Sequence, residues 1–199
     1  MPDDKPIAFL VRHGETVARD RKIFISWIDF PLDTEGEQQA KDAIDFLSDY
    51  EIKTVYSSPL QRAVYGALLL NKPVQQDRGL LPWNRGILTG ISEEDGNDAL
   101  KLFLDNPSVA IPYGESRTAC EKRLTEFFTP ALERSESTTT AFFTHHSVID
   151  VLNCLLTGER TKEPKNLVKT GGVVAVYIDG DGYRLEPVLR PDNDNSGLS

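Results

Sequence analysis

The chain has 199 residues, 39% of them hydrophobic and 27% charged, with a formal net charge of −9. That length and balance suit one globular domain, or one core with a small cap, whose interior needs neither disulfide nor metal. An acidic surface repels nucleic-acid backbones and anionic lipid, so neither is expected as a partner, and any phosphate site has to be a local island of cations.

The N-terminal run Met1-Pro2-Asp3-Asp4-Lys5 lacks the basic and apolar regions of a signal peptide. Ile7 to Val11 is a short apolar run broken at Arg12-His13-Gly14, the pattern of a strand covered on both faces. Residues 15–33 have no clear period and read as a loop. Thr34 is placed to cap a helix with Glu37 as capping-box partner, and Ala40, Ala43, Ile44 and Leu47 follow at helical spacing. Thr54 to Ser57 predicts a second strand. Pro59 then introduces a helix over Leu60 to Leu70.

The glycine- and proline-rich stretch 77–115 reads as a cap-like insertion, with a short helix at 98–104. Ser116 to Arg134 predicts a helix that Pro130 ends or kinks. Thr138 to Phe143 is β-branched and aromatic, hence a strand. Val148 to Leu156 predicts a helix stopped by Gly158. Val173 to Ile178 and Tyr183 to Pro187 predict a hairpin across Asp179-Gly180-Asp181-Gly182. Residues 191–199 form a polar tail expected to be disordered, leaving one domain over residues 1–190. No apolar run approaches the roughly 18 residues of a membrane span. Cys120 and Cys154 form no CxxC pair, which fits reduced thiols and a cytoplasmic protein.

Alternating strands and helices predict an α/β fold. The expected architecture is a three-layer sandwich with a mostly parallel central sheet flanked by helices, plus the small cap. In such sheets ligands bind outside the carboxyl ends of the strands. His13 and His145 stand just past two such ends, and Arg62 lies a few residues past a third. The chain has three histidines in all, His13, His145 and His146. A lone histidine is more often structural, but two at neighbouring strand ends with Arg12 and Arg62 form a cationic cluster. Arginine grips phosphate oxygens with a planar fork. The competing reading of Arg12 is a salt bridge to a carboxylate such as Glu15.

Five motifs in order carry a family resemblance. They are Leu10-Val11-Arg12-His13-Gly14-Glu15-Thr16; Phe24, Trp27, Asp29, Leu32 and Gly36; Tyr56-Ser57-Ser58-Pro59-Leu60-Gln61-Arg62-Ala63; Pro112-Tyr113-Gly114-Glu115-Ser116; and Phe143-Thr144-His145-His146-Ser147-Val148-Ile149. Over roughly residues 6–178 the chain resembles the histidine phosphatase superfamily, in its phosphoglycerate-mutase-like branch. The resemblance implies a phosphatase that forms a phosphohistidine on His13. Arg12, Arg62 and His145 would hold the phosphoryl oxygens. It implies no cofactor and no metal, because arginines supply the positive charge. Substrates would be small phosphorylated molecules or phosphoproteins.

The chain departs from the family pattern at several positions. The family's proton-donating glutamate falls at Pro82, which cannot transfer a proton. Glu115 is the leading replacement, with Glu93, Glu94, Asp95 and Glu15 as further candidates; each carboxylate can equally be structural, and Glu115 can brace the Gly114 turn. Arg19 replaces an asparagine, as an added phosphate contact or an exposed loop residue. His146 stands at the usual glycine. Asp150 stands where arginine is common and is expected on the surface. Trp27 and Trp83 either line the pocket mouth or pack inside. A missing acid favours phosphohistidine, acyl or aryl phosphates, whose leaving groups need little protonation. The alternatives are a sugar-phosphate or phosphoglycerate phosphatase with a displaced acid, and a weakly active relative that binds phosphorylated ligands.

Overall fold

The computed structural model describes residues 5–158 and 167–190. The polar tail at 191–199 lies outside the described residues. Six strands, β1 (Ala8–Arg12), β2 (Thr54–Ser57), β3 (Val74–Gln76), β4 (Thr140–Thr144), β5 (Val173–Asp179) and β6 (Gly182–Leu189), form one sheet in the order β3-β2-β4-β1-β5-β6. β1 to β4 run parallel, and β5 and β6 are the antiparallel hairpin expected from the sequence. Helices α1 (Thr34–Leu47), α2 (Gln61–Leu69), α3 (Glu93–Asp105), α4 (Arg117–Ser135) and α5 (His146–Thr157) complete the fold.

The two-residue period of the strands divides the core. Ala8, Leu10, Phe142, Val174 and Val176 pack with Leu124, Phe128 and Leu132 of α4 and Val148, Ile149 and Leu152 of α5. Phe9, Val11, Val55, Ala141, Phe143 and Ala175 point the other way, onto Ala43 and Leu47 of α1 and Ala63 and Ala67 of α2. This is the expected three-layer sandwich. The central strands are continuous apolar runs because helices cover both faces.

Several boundaries differ from the sequence reading. Asp33, not Thr34, caps α1, its carboxylate accepting from Gly36 N at 2.8 Å. Both residue types cap well, and the carboxylate also favours the positive end of the helix. α3 begins at Glu93 rather than residue 98, capped by the Ser92 hydroxyl on Asp95 N. Its first turn is acidic, which suits the helix dipole but hides any apolar period. α4 continues through Pro130, which sits on an exposed face. There the carbonyl that loses its helical partner can turn to water. β3 is a short, polar edge strand that leaves no alternation to read.

Residues 77–115 hold 3-10 turns at Arg78–Leu80 and Gly86–Leu88, then α3. The loop after β1 is locked to α1 through paired glycines. A Cβ on Gly14 would lie 2.3 Å from Gly36 O, and one on Gly36 would lie 1.9 Å from Glu15 O. Gly14 is therefore required for backbone contact with a helix. Among the described residues no helix is long and apolar enough to cross a membrane.

Candidate active site

Parallel pairing brings three strand ends level. Arg12 of β1 is in register with Thr144 of β4, and Ser57 of β2 with Phe143. Beyond the last pairs, His13 N donates to Thr144 O (3.1 Å) and Ser58 N to Phe143 O (2.9 Å). His145 is the N-cap of α5, and Arg62 lies in the first turn of α2. Sheet register thus gathers Arg12, His13, Arg62 and His145 at one edge.

The His13 ring is held in one tautomer. Its Nδ1 lies 2.7 Å from Gly14 O. A carbonyl only accepts, so Nδ1 carries the proton and Nε2 keeps its lone pair. Burial, then Arg62 and Arg12, hold the His13 pKa well below its ordinary value. The two guanidinium groups acting on it, Arg62 and Arg12, push the same way. The ring is neutral at physiological pH, and Nε2 carries a lone pair rather than a proton.

His145 is buried, and its ring centroid lies 5.1 Å from that of His13. Its Nε2 is 2.8 Å from Ser58 Oγ, which also accepts from Leu60 N (3.4 Å). Ser58 Oγ can accept from Leu60 N while its O–H donates to Nε2, and in that arrangement the ring proton sits on Nδ1. Burial and Arg62 hold His145 neutral as well.

Arg62 is buried and anchored through Nη1 to Ile28 O (2.7 Å) and Nη2 to Ser26 O (2.9 Å). Arg12 is anchored through Nη1 to Val168 O (2.8 Å). Each guanidinium therefore spends outer nitrogens on backbone carbonyls and keeps its Nε in reserve. Arg12 Nε and Arg62 Nε are buried donors without a hydrogen-bond partner, and His145 Nδ1 is a buried ring nitrogen without one. Such donors are costly unless an anion meets them. Among the described residues no carboxylate lies within ion-pairing distance of Arg12, so the alternative pairing with Glu15 is not made; Glu15 Oε1 accepts from Thr170 Oγ1 at 2.7 Å.

The other sequence candidates are placed differently. Arg19 lies on the surface and pairs with Glu35. Glu115 is fastened, its Oε1 accepting from Asn84 N (3.0 Å) and Arg123 Nη2 (2.7 Å). That is the bracing role, and its oxygens are already engaged. The brace holds Gly114 against Gly86, whose φ is +45°; a Cβ on Gly114 would meet Asn84 O at 2.5 Å. Glu93, Glu94 and Asp95 form the first turn of α3. Pro82 turns its carbonyl to Trp27 Nε1 (2.8 Å). Trp83 is buried and donates to Glu115 O (3.1 Å).

Asp150 corrects the sequence reading. It is 6% exposed, not a surface residue. His146 Nε2 stands 3.1 Å from Asp150 Oδ2, near enough to pair but without hydrogen-bond alignment. Burial pushes the Asp150 carboxyl up to about 7 despite Arg12 and Arg117 nearby. Ser26 and Ser58 were not singled out as site residues. Ser58 carried a signal, since it immediately precedes the turn into the Arg62 helix. Ser26 has φ +48°, a backbone state that residue type alone does not announce.

The family model of the histidine phosphatase superfamily (branch 1) matches residues 8–189. The 2,3-bisphosphoglycerate-dependent phosphoglycerate mutase of Chlamydia muridarum is 26% identical over 125 residues, a match that covers 61% of this chain and 55% of the mutase. Among solved structures, the α-ribazole phosphatase of Shigella flexneri superposes with a TM-score of 0.76 at 25% identity, over 90% of this chain and 94% of that one. The phosphoglycerate mutase of Thermus thermophilus gives 0.69 at 28% identity, over 92% and 96%. The chain belongs to the histidine phosphatase superfamily, branch 1.

Proposed function

We propose that the chain is a phosphatase that hydrolyses phosphomonoesters or phosphoramidates through a phosphohistidine on His13. The observation that carries this reading is the set of three buried nitrogens without partners, Arg12 Nε, Arg62 Nε and His145 Nδ1, gathered around a neutral imidazole. With the His145 proton on Nδ1, three donors suit the three equatorial oxygens of a phosphoryl group in transfer. The Nε2 lone pair attacks phosphorus, the bond to the leaving oxygen (or, in a phosphoramidate, nitrogen) breaks with its electron pair kept by the leaving atom, and water later cleaves the histidine N–P bond. Arginine charge does the work that a metal does in other phosphatases, so the reaction needs no metal or cofactor. A small phosphorylated molecule or a phosphoprotein is the substrate, acted on in the cytoplasm.

Family membership leaves open a mutase or a phosphatase. The Pro82 position favours hydrolysis of substrates with good leaving groups, because no carboxylic acid stands there to protonate a poor one. The test is trapping with a ³²P-labelled aryl phosphate, quenched with SDS at alkaline pH and read on a neutral gel before and after an acid wash. Wild type is expected to carry an acid-labile label that His13→Ala lacks. Equal labelling of both proteins would overturn the assignment.

A further inference from the structure

Arg85 stands on the same segment as Pro82, and that segment is fixed to both walls of the site. Trp83 N donates to Ser147 Oγ (3.2 Å), two residues beyond His145. Arg85 N donates to Ser26 Oγ (3.0 Å), while Ser26 O accepts from Arg62 Nη2 (2.9 Å). Two hydrogen bonds through one serine therefore link the backbone of Arg85 to the guanidinium of Arg62.

The side chain of Arg85 is held by aromatic faces. Its guanidinium carbon lies 4.3 Å from the ring centroid of Phe24 and 5.9 Å from that of Trp83. Phe24 and Trp83 are themselves buried. Among the described residues no carboxylate lies within ion-pairing distance of the Arg85 guanidinium, and no side-chain hydrogen bond holds it. Arg117 and Arg123, by contrast, are paired with Glu121 and Glu115. Burial lowers the Arg85 pKa to about 10, and the acid that acts on it is Glu93. The group remains a cation at neutral pH, partly stripped of water, with Glu93 acting on it only from beyond ion-pairing distance. Aromatic faces offset only part of that cost.

Arg12, Arg62 and His145 already answer the three phosphoryl oxygens. The charge that remains to be met during transfer is the one that grows on the leaving oxygen. We propose that Arg85 stabilises the leaving-group oxygen, as a fixed cation in place of a proton donor at Pro82. This rests on His13 being the nucleophile. As Nε2 bonds to phosphorus, the P–O bond breaks and its electron pair stays on the leaving oxygen. Arg85 donates a charge-assisted hydrogen bond to that oxyanion without giving up a proton. The proton comes from water after departure. A guanidinium suits this role because it does not deprotonate, whereas a carboxylic acid acts by losing its proton.

The test is kcat/KM for a series of aryl and alkyl phosphate monoesters of graded leaving-group pKa. The proteins are wild type, Arg85→Met and Arg85→Lys. Methionine keeps an apolar stem against Phe24 and Trp83 while removing the charge. Arg85→Met is expected to steepen the dependence on leaving-group pKa, losing about 10²-fold or more on the poorest leaving groups and far less on p-nitrophenyl phosphate. Arg85→Lys is expected to recover part of that loss. Vanadate inhibition, which reports the inner phosphoryl pocket, is expected to stay within a few-fold of wild type. An equal loss across the whole series would overturn the proposal, as would a KM defect confined to substrates with a second anionic group. Failure of the nucleophile assignment shows separately, as turnover by His13→Ala.

Discussion

The ring of His145 meets that of His13 at an interplanar angle of 62°, with centroids 5.1 Å apart, inside a cluster that also holds Arg12 and Arg62. Neither ring can take up a proton cheaply there. The ordinary histidine pKa is about 6.5. With both folded values well below it, the unfolded chain binds protons that the native state refuses. Stability is therefore expected to fall as pH drops below about 6.5. Imidazole NMR titration checks the cause directly, because His146 is the only other histidine. His13 and His145 are expected to show no inflection near 6.5. An inflection there in either ring would remove the physical basis for a neutral nucleophile.

Asp150 contributes the opposite pH dependence. Its carboxyl is pushed up to about 7 by burial. Between the ordinary carboxylate range and pH 7 the native state holds a proton that the unfolded chain has released. Its contribution to stability is full below the ordinary carboxylate pKa, falls as pH rises above it, and is lost once pH has passed about 7. Asp150→Asn mimics the protonated form and removes that loss. The variant is expected to gain thermal stability relative to wild type at pH 8, with a smaller gain at pH 5 that vanishes toward pH 4. A melting-temperature difference independent of pH would show that Asp150 is ionised throughout.

The contact of Gly14 with Gly36 leaves no room for a methyl group on either residue. Gly36→Ala forces α1 away from the loop that carries His13. Overpacking of this kind typically costs about 1–3 kcal/mol. Urea unfolding is expected to show a loss of that size. Turnover is expected to fall as well, since small displacements of a nucleophile are costly. A Gly36→Ala protein with wild-type stability would mean that the two backbones separate easily.

Much of this site was legible because its residues stand at the ends of readable strands. The apolar run before Arg12-His13 and the β-branched run before Thr144-His145 locate the sheet edge, and parallel register does the rest. Family motifs then assign roles that spacing alone leaves open. What escaped reading depends on packing. Asp150 looks like a polar residue early in a helix, yet packing buries it to 6% exposure, with the backbone of Leu167 against its carboxylate. Glu115 looks like a free carboxylate in a turn, yet Arg123, eight residues on, claims it. Arg85 has no signal at all in a glycine-rich loop. Its environment is made by Phe24 and Trp83, which the fold brings together from distant segments.

In the proposed phosphatase reaction, Pro82 and Glu115 together bear on how rate depends on the leaving group. Pro82 offers a carbonyl, already bonded to Trp27, and no transferable proton. Glu115 is bound to Arg123 and to the backbone of Asn84. An oxygen that departs unprotonated carries negative charge in the transition state, and a phenol of low pKa tolerates that charge better than an alkoxide does. General acid assistance is worth about 10²–10⁴-fold, and its absence falls on the poor leaving groups. Wild type is therefore expected to hydrolyse aryl and acyl phosphates, and phosphoramidates, far faster than alkyl phosphates bound equally well. The proposed contact of Arg85 with the leaving oxygen would moderate that slope without abolishing it, because a guanidinium donates a hydrogen bond and keeps its proton. Glu115→Gln separates a bracing residue from an acid. If Glu115 braces the turn, the variant loses stability but keeps the steep leaving-group dependence of wild type. A shallow dependence in wild type that turns steep in Glu115→Gln would instead identify Glu115 as the proton donor.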